Sequence, residues 1–200
     1  MLAPAPGWGV TATWADLGCG TGTFTLALAE LLGAGSTIHA IDRDAEALAS
    51  VPATHRDVRI LTRQADIEAL QLSAASLDGV LLANSLHYVR AQSTLIASIT
   101  GALIDRSGSC IIVEYDTERP VPRWVPYPVS RRKASTLLRD AGLSDLRRLA
   151  ERPSAYGRGP LYSLWGRRSM SSGDRDRRSE TRFSLATRCA GNLPSAADAS

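Results

Sequence analysis

Seven residues, Asp16-Leu17-Gly18-Cys19-Gly20-Thr21-Gly22, constrain this chain more than any other stretch. Three glycines in five positions permit backbone angles that a Cβ would oppose, and they let the main chain lie against a ligand. Before them, Thr13-Trp14-Ala15-Asp16-Leu17 reads as a short strand, and after them Phe24, Leu26, Ala27, Leu28, Leu31 and Leu32 form the apolar part of a helix. Strand, glycine turn and helix in this order make a nucleotide-sized binding turn. The dinucleotide fingerprint G-x-G-x-x-G does not fit, because its last position falls on Thr23 counting from Gly18 and on Thr25 counting from Gly20. The spacing is G-x-G-x-G, with an acid two positions before the first glycine.

Strand-like and helix-like segments alternate along the chain, which predicts crossover units and a mostly parallel sheet covered on both faces. After the glycine turn and its helix come Ser36 to Asp42 as a strand, Asp44 to Ala49 as a helix, and Val58 to Leu61 as a third strand ending near Asp66. Leu77 to Ser85 has the near-continuous apolar run of a central strand. Ser93 to Ile104 is a predicted helix, Ser109 to Glu114 a fifth strand, and Arg131 to Ala141 a last helix stopped at Gly142. Two further strands are expected around Leu146 to Glu151 and Leu161 to Trp165.

At 200 residues and 44% hydrophobic content, the chain suits one α/β domain with a substantial core. No stretch approaches the roughly 18 apolar residues of a membrane span, and the N-terminus has no basic-then-apolar leader, so the cytoplasm is the expected location. Cys19, Cys110 and Cys189 lack C-x-x-C spacing and read as free thiols. The sequence pI near 9.0 does not mark a nucleic-acid face, because the excess charge sits at one end. From Arg167 onward there are seven arginines and four acids, whereas residues 1 to 166 have sixteen basic residues (fifteen Arg and Lys133) and sixteen acids. Residues 169 to 200 are rich in Ser, Arg, Asp and Ala, a composition expected to stay disordered because it buries too little surface to offset ordering entropy.

Taken with Ile41-Asp42 and Ala65-Asp66, the segment Asp16 to Gly22 resembles the first motif of class I S-adenosylmethionine (SAM)-dependent methyltransferases of the type 11/25 kind. The resemblance implies a Rossmann-like methyltransferase fold: a doubly wound, mostly parallel seven-stranded sheet with helices on both faces and a C-terminal antiparallel hairpin. It implies a SAM-binding domain over residues 12–168, preceded by a short lead-in, 1–11, and followed by the 169–200 tail. Family members carry an N-terminal helical segment over the cofactor, whereas Pro4, Pro6, Gly7 and Gly9 discourage a helix here. The expected activity is methyl transfer to a small-molecule acceptor by in-line displacement. The alternatives are a SAM-binding protein without turnover and an NAD(P)-dependent oxidoreductase, the latter disfavoured by the failed register.

The resemblance implies that Asp16, Gly18, Cys19, Gly20, Gly22, Asp42, Arg43, Asp66, Ile67 and Asn84 bind the cofactor. Asp42 ends the second strand, where a carboxylate can accept both ribose hydroxyls, although Asp42-Arg43-Asp44 also reads as a helix cap. Asp66 would receive the adenine amino group, with Ile67 against the ring, and Asp16 would order the turn or reach the methionine amino group. Asn84, Ser85, His87 and Tyr88 follow the central strand in the region that faces the reacting methyl group in this family. His87 is a candidate general base, since an imidazole titrates near neutral pH, although a lone His at such a place is more often a structural partner. Glu114, Tyr115 and the stiff aromatic loop holding Trp124 are candidates, with Tyr88, to line an acceptor pocket. His39, His55 and His87 have no metal-ligand spacing.

Overall fold

The computed structural model describes residues 1–2, 8–104, 107–154 and 159–168. The tail for which disorder is expected lies outside the described residues, as do Pro4, Pro6 and Gly7 of the lead-in. In chain order the elements are β1 (Thr13–Leu17), α1 (Thr23–Ala29), β2 (Thr37–Asp42), α2 (Ala45–Ala49), β3 (Thr54–His55), β4 (Val58–Gln64) and β5 (Gly79–Ala83). There follow a 3₁₀ turn at Leu86–Tyr88, α3 (Gln92–Ala102), β6 (Ser109–Tyr115), α4 (Arg131–Asp140), β7 (Leu143–Arg152) and β8 (Leu161–Arg168).

One sheet runs β3-β4-β2-β1-β5-β6-β8-β7. The pairs β1/β2, β2/β4, β1/β5 and β5/β6 are parallel, and β8 and β7 add antiparallel at the far end. The chain winds outward from β1 in one direction, through β2 to β4, and then in the other from β5 to β6. The switch therefore lies between β1 and β5, where an open α/β sheet leaves a crevice at the strand ends.

The continuous apolar run of β5 is explained by burial on both faces. Val80 and Leu82 pack into one core with Leu95, Ile96 and Ile99 of α3 and Leu138 of α4. Leu81 and Ala83 pack into the other with Leu28 of α1, Leu48 of α2 and Ile111 of β6. Gly79 opens β5 because the Trp14 indole lies across it: a Cβ there would sit 2.4 Å from the ring.

The sheet has eight strands rather than the seven expected. The addition is β3, a two-residue strand antiparallel to β4. It hides from sequence reading because its turn is made by Arg56 (φ 47°) and Asp57 (φ 61°) rather than by the Asn-Gly or Gly-Gly pair that usually supplies two left-handed residues. Glu30, just past α1, helps to hold that turn, reaching His55 Nε2 at 2.6 Å and Arg56 Nε at 2.7 Å.

Candidate functional site

The glycine turn leaves β1 at the switch and crosses to α1. Asp42, at the end of the neighbouring β2, ties it down: its Oδ2 accepts the Gly20 N–H at 2.8 Å and its Oδ1 the Asp44 N–H at 2.9 Å. The cap of α2 is not Asp42 but Asp44, whose Oδ1 accepts from the N–H groups of Glu46 and Ala47. Asp42 thus faces the turn while the helix start is satisfied by its neighbour. Gly20 has φ +53°, and a Cβ added there would meet no protein atom within 4 Å, so the turn presents bare backbone to open space. Gly18 serves a different purpose, since a Cβ on it would lie 2.5 Å from the Cβ of Ser85.

Of the sequence candidates, Gly18, Gly20, Asp42, Arg43, Asp66, Ile67 and Asn84 line one cleft of about 370 Å³ at the switch. Asp66 is exposed on its far rim, its Oδ1 accepting the Glu68 N–H at 2.9 Å, and Ile67 is half-buried beside it. Asp16, Cys19 and Gly22 are not part of the cleft wall. Asp16 lies behind the turn at 0% exposure, its Oδ2 accepting the Thr25 hydroxyl at 2.6 Å while Oδ1 has no protein partner. Burial pushes its carboxyl up to about 7; the Thr25 bond opposes this and the Asp42 charge adds to it. Burial raises the Cys19 thiol to about 12, which removes it as a nucleophile at neutral pH.

Asn84 ends β5 in the left-handed region at φ 54°, a conformation Asn tolerates better than most side chains. Its Oδ1 is buried without a partner, as is the Ser85 hydroxyl beside it. Together with Tyr88, Asn84 lines both the cleft and a second cavity of about 320 Å³. That cavity also holds His87, Tyr115 and Trp124, gathered from the 3₁₀ turn, the end of β6 and the proline-rich loop. Thr117, Val121 and Val125 complete it. They carry no sequence signal, because a loop before α4 meets the β5 exit only through the fold. Trp124 is 69% exposed, at the mouth of the cavity.

Glu114 is not in the cavity wall. It is 1% exposed, and its carboxylate is spent on His87, accepting the backbone N–H at Oε1 (3.1 Å) and lying 2.6 Å from Nδ1 through Oε2.

Residues 15–105, from β1 past α3, match the family model of the methyltransferase domain. No curated protein matches the chain. Among solved structures, a SAM-dependent methyltransferase from Mesorhizobium loti is 19% identical, with 82% of this chain and 94% of that one covered at a TM-score of 0.61. A Methanosarcina mazei SAM-dependent methyltransferase is 16% identical, with 80% and 94% covered at 0.61. The 1,6-didemethyltoxoflavin-N1-methyltransferase of Burkholderia thailandensis, solved with 1,6-didemethyltoxoflavin and S-adenosylhomocysteine bound, is 20% identical, with 81% and 73% covered at 0.60. At such identities these likenesses speak for the fold, and the family model speaks for the domain built on it. Residues 15–105 thus match a methyltransferase-domain model, and the chain shares its fold with SAM-dependent methyltransferases.

Proposed function

We propose that this protein methylates a small molecule held in the 320 Å³ cavity, with the cofactor in the adjoining cleft. The observation that carries the reading is that the two spaces meet at Asn84 and Tyr88, so that a donor in one faces an acceptor in the other. The cofactor fits the residues present: bare backbone at Gly20, a carboxylate at the end of β2, and unpartnered polar atoms on Asn84 and Ser85. Asp42 holds the ribose hydroxyls, Asp66 receives the adenine amino group, and Ile67 packs on the ring. Asp16 acts from behind, ordering the turn through Thr25. Bound SAM supplies an activated methyl group on a sulfonium leaving group.

The protein's part is then mainly to align and to exclude water, which can supply on the order of 7–11 kcal/mol of the barrier. The mostly apolar cavity suits a small organic acceptor, and the B. thailandensis enzyme acts on one within the same fold. Among the described residues of the cavity, His87 is the candidate to remove a proton from the acceptor.

Calorimetry with S-adenosylhomocysteine tests the cofactor part. Asp42→Ala is expected to weaken binding roughly 10- to 150-fold, the loss of hydrogen bonds to a charged group at about 1.5–3 kcal/mol. Unchanged affinity would remove Asp42 from the site. Incubating a cell extract with the protein and methyl-labelled SAM tests the acceptor, the label being expected in the small-molecule fraction. Label found only in protein or RNA would overturn that part.

A further inference from the structure

An acceptor that loses a proton on methylation needs somewhere to put it, and the cavity holds one side chain prepared to take it. His87 sits on the 3₁₀ turn after β5, and Glu114 comes from β6. One carboxylate holds two groups of the same residue: Oε1 takes the His87 backbone N–H and Oε2 lies 2.6 Å from ring Nδ1. With both Glu114 oxygens accepting, Nδ1 carries the hydrogen and Nε2 keeps its lone pair, the arrangement the proposal takes. The two side chains are 2% and 1% exposed, and the ring lies beside Tyr88 and Tyr115, with 4.3 Å and 6.3 Å between ring centres.

The rest of the wall restricts what can arrive. Beside His87 and Asn84 it is Tyr88, Tyr115, Trp124 and smaller side chains, with no Asp, Glu, Lys or Arg among the described residues. A carboxylate or an alkylammonium would lose its hydration there with no opposite charge among the described wall residues, which disfavours it. A flat, uncharged molecule loses little and gains aromatic contact.

We propose that His87 and Glu114 form a proton-accepting pair that selects a neutral acceptor, an aromatic or enolic hydroxyl or a ring N–H carried on a flat apolar body. The proposal rests on the methyl-transfer reading above. The acceptor atom's lone pair forms the new bond to the methyl carbon, and the electrons of the broken carbon–sulfur bond leave with sulfur. The acceptor's O–H or N–H bond gives its proton to Nε2 and leaves its electrons on the acceptor. The imidazolium so formed faces the Glu114 carboxylate, so the new positive charge has its counter-charge already in hydrogen-bond contact. Glu114 is a positioning residue, since both its carboxylate oxygens bond His87 and it is not in the cavity wall.

Nitrogen-15 NMR of the imidazoles tests the pair without any acceptor, and with three histidines in the chain the signals are assignable. In the wild type, His87 should be the Nδ1–H tautomer. In Glu114→Gln the amide oxygen must serve the backbone N–H, which turns the NH₂ toward Nδ1, so His87 should convert to the Nε2–H tautomer. S-adenosylhomocysteine affinity should stay as it was in both proteins. An Nε2–H tautomer in the wild type, which needs no variant to fold, would overturn the proposal, and so would one tautomer in both proteins. If the wild type does not bind S-adenosylhomocysteine, the methyl-transfer reading fails instead, and the NMR result is untouched by it.

The acceptor class is read from Trp124 fluorescence, with Trp124→Phe as the control. 2-Naphthol should quench it saturably, and 2-naphthoate should bind at least roughly 10-fold more weakly because of its charge. Naphthoate binding as tightly as naphthol, or no binding of naphthol, would overturn the neutral-acceptor assignment.

Discussion

Asp16 is the residue whose chemistry departs furthest from its ordinary behaviour while lying closest to the site. Its carboxyl has one hydrogen bond, from Thr25, one bare oxygen and no exposed surface, so ionising it inside the fold is costly. The rise from 3.8 to about 7 is equivalent to about 4 kcal/mol. Its sign follows from which state holds the proton. Between pH 4 and 7 the folded chain keeps a proton that the unfolded chain has released, so this group's contribution to stability falls as pH rises through that window. Below it the contribution is neutral, and above about pH 7 the full penalty stands. Asp16→Asn removes the titration but keeps an acceptor for Thr25. The stability of the variant relative to wild type should therefore rise from pH 5 to pH 8, as measured by denaturant melts at each pH. A difference that is flat with pH would show that Asp16 ionises freely in the fold.

At the scale of elements, the sheet is fitted to its fillings more tightly than its pattern of strands suggests. The central β5 begins with a glycine only because Trp14 of β1 occupies the space where a side chain would stand. Trp14 is itself stacked on Trp8 at 5.5 Å, so the indole has little freedom to retreat. Gly79→Ala is thus an overpacking change in a buried strand, expected to cost about 2–3 kcal/mol. For a domain of this size that lowers Tm by about 4–12 °C, readable by circular dichroism. A shift below 1 °C would mean that the tryptophan pair slides aside.

For the molecule as a whole, the ligand cleft lies where the winding direction reverses, and it is walled by the ends of β2 and β5, the glycine turn after β1 and the loop after β4. A ligand there bridges segments distant in sequence and binds only the folded chain. Saturation with S-adenosylhomocysteine at about 100 times its Kd should therefore add about 2.7 kcal/mol, or about 5–10 °C in Tm. Scanning calorimetry across a concentration series would show it, and a Tm independent of ligand would mean that the cleft is not the cofactor site. No helix among the described residues is long and apolar enough to cross a membrane.

The order of strands and helices, the glycine turn and the acids at the ends of β2 and β4 were legible from the residues, because each rests on a local signal: a period, a spacing, a turn chemistry. Two kinds of feature were not. The extra strand β3 depends on Arg56 adopting a left-handed angle that its identity does not favour, beside Glu30 of another segment. The division of labour among carboxylates depends on distance in space: Asp44 caps α2 while Asp42 holds the glycine turn, and Asp16 is sealed behind it. Glu114 read as an acceptor-pocket residue at the end of a strand, yet the parallel register of β6 against β5 brings it under His87. Sequence by itself determined which chemistry-bearing side chains stand at the carboxyl ends of the strands. Only the tertiary structure decided which of them face the ligand spaces and which face one another, because burial and partner distance are set by how strands pair across the sheet.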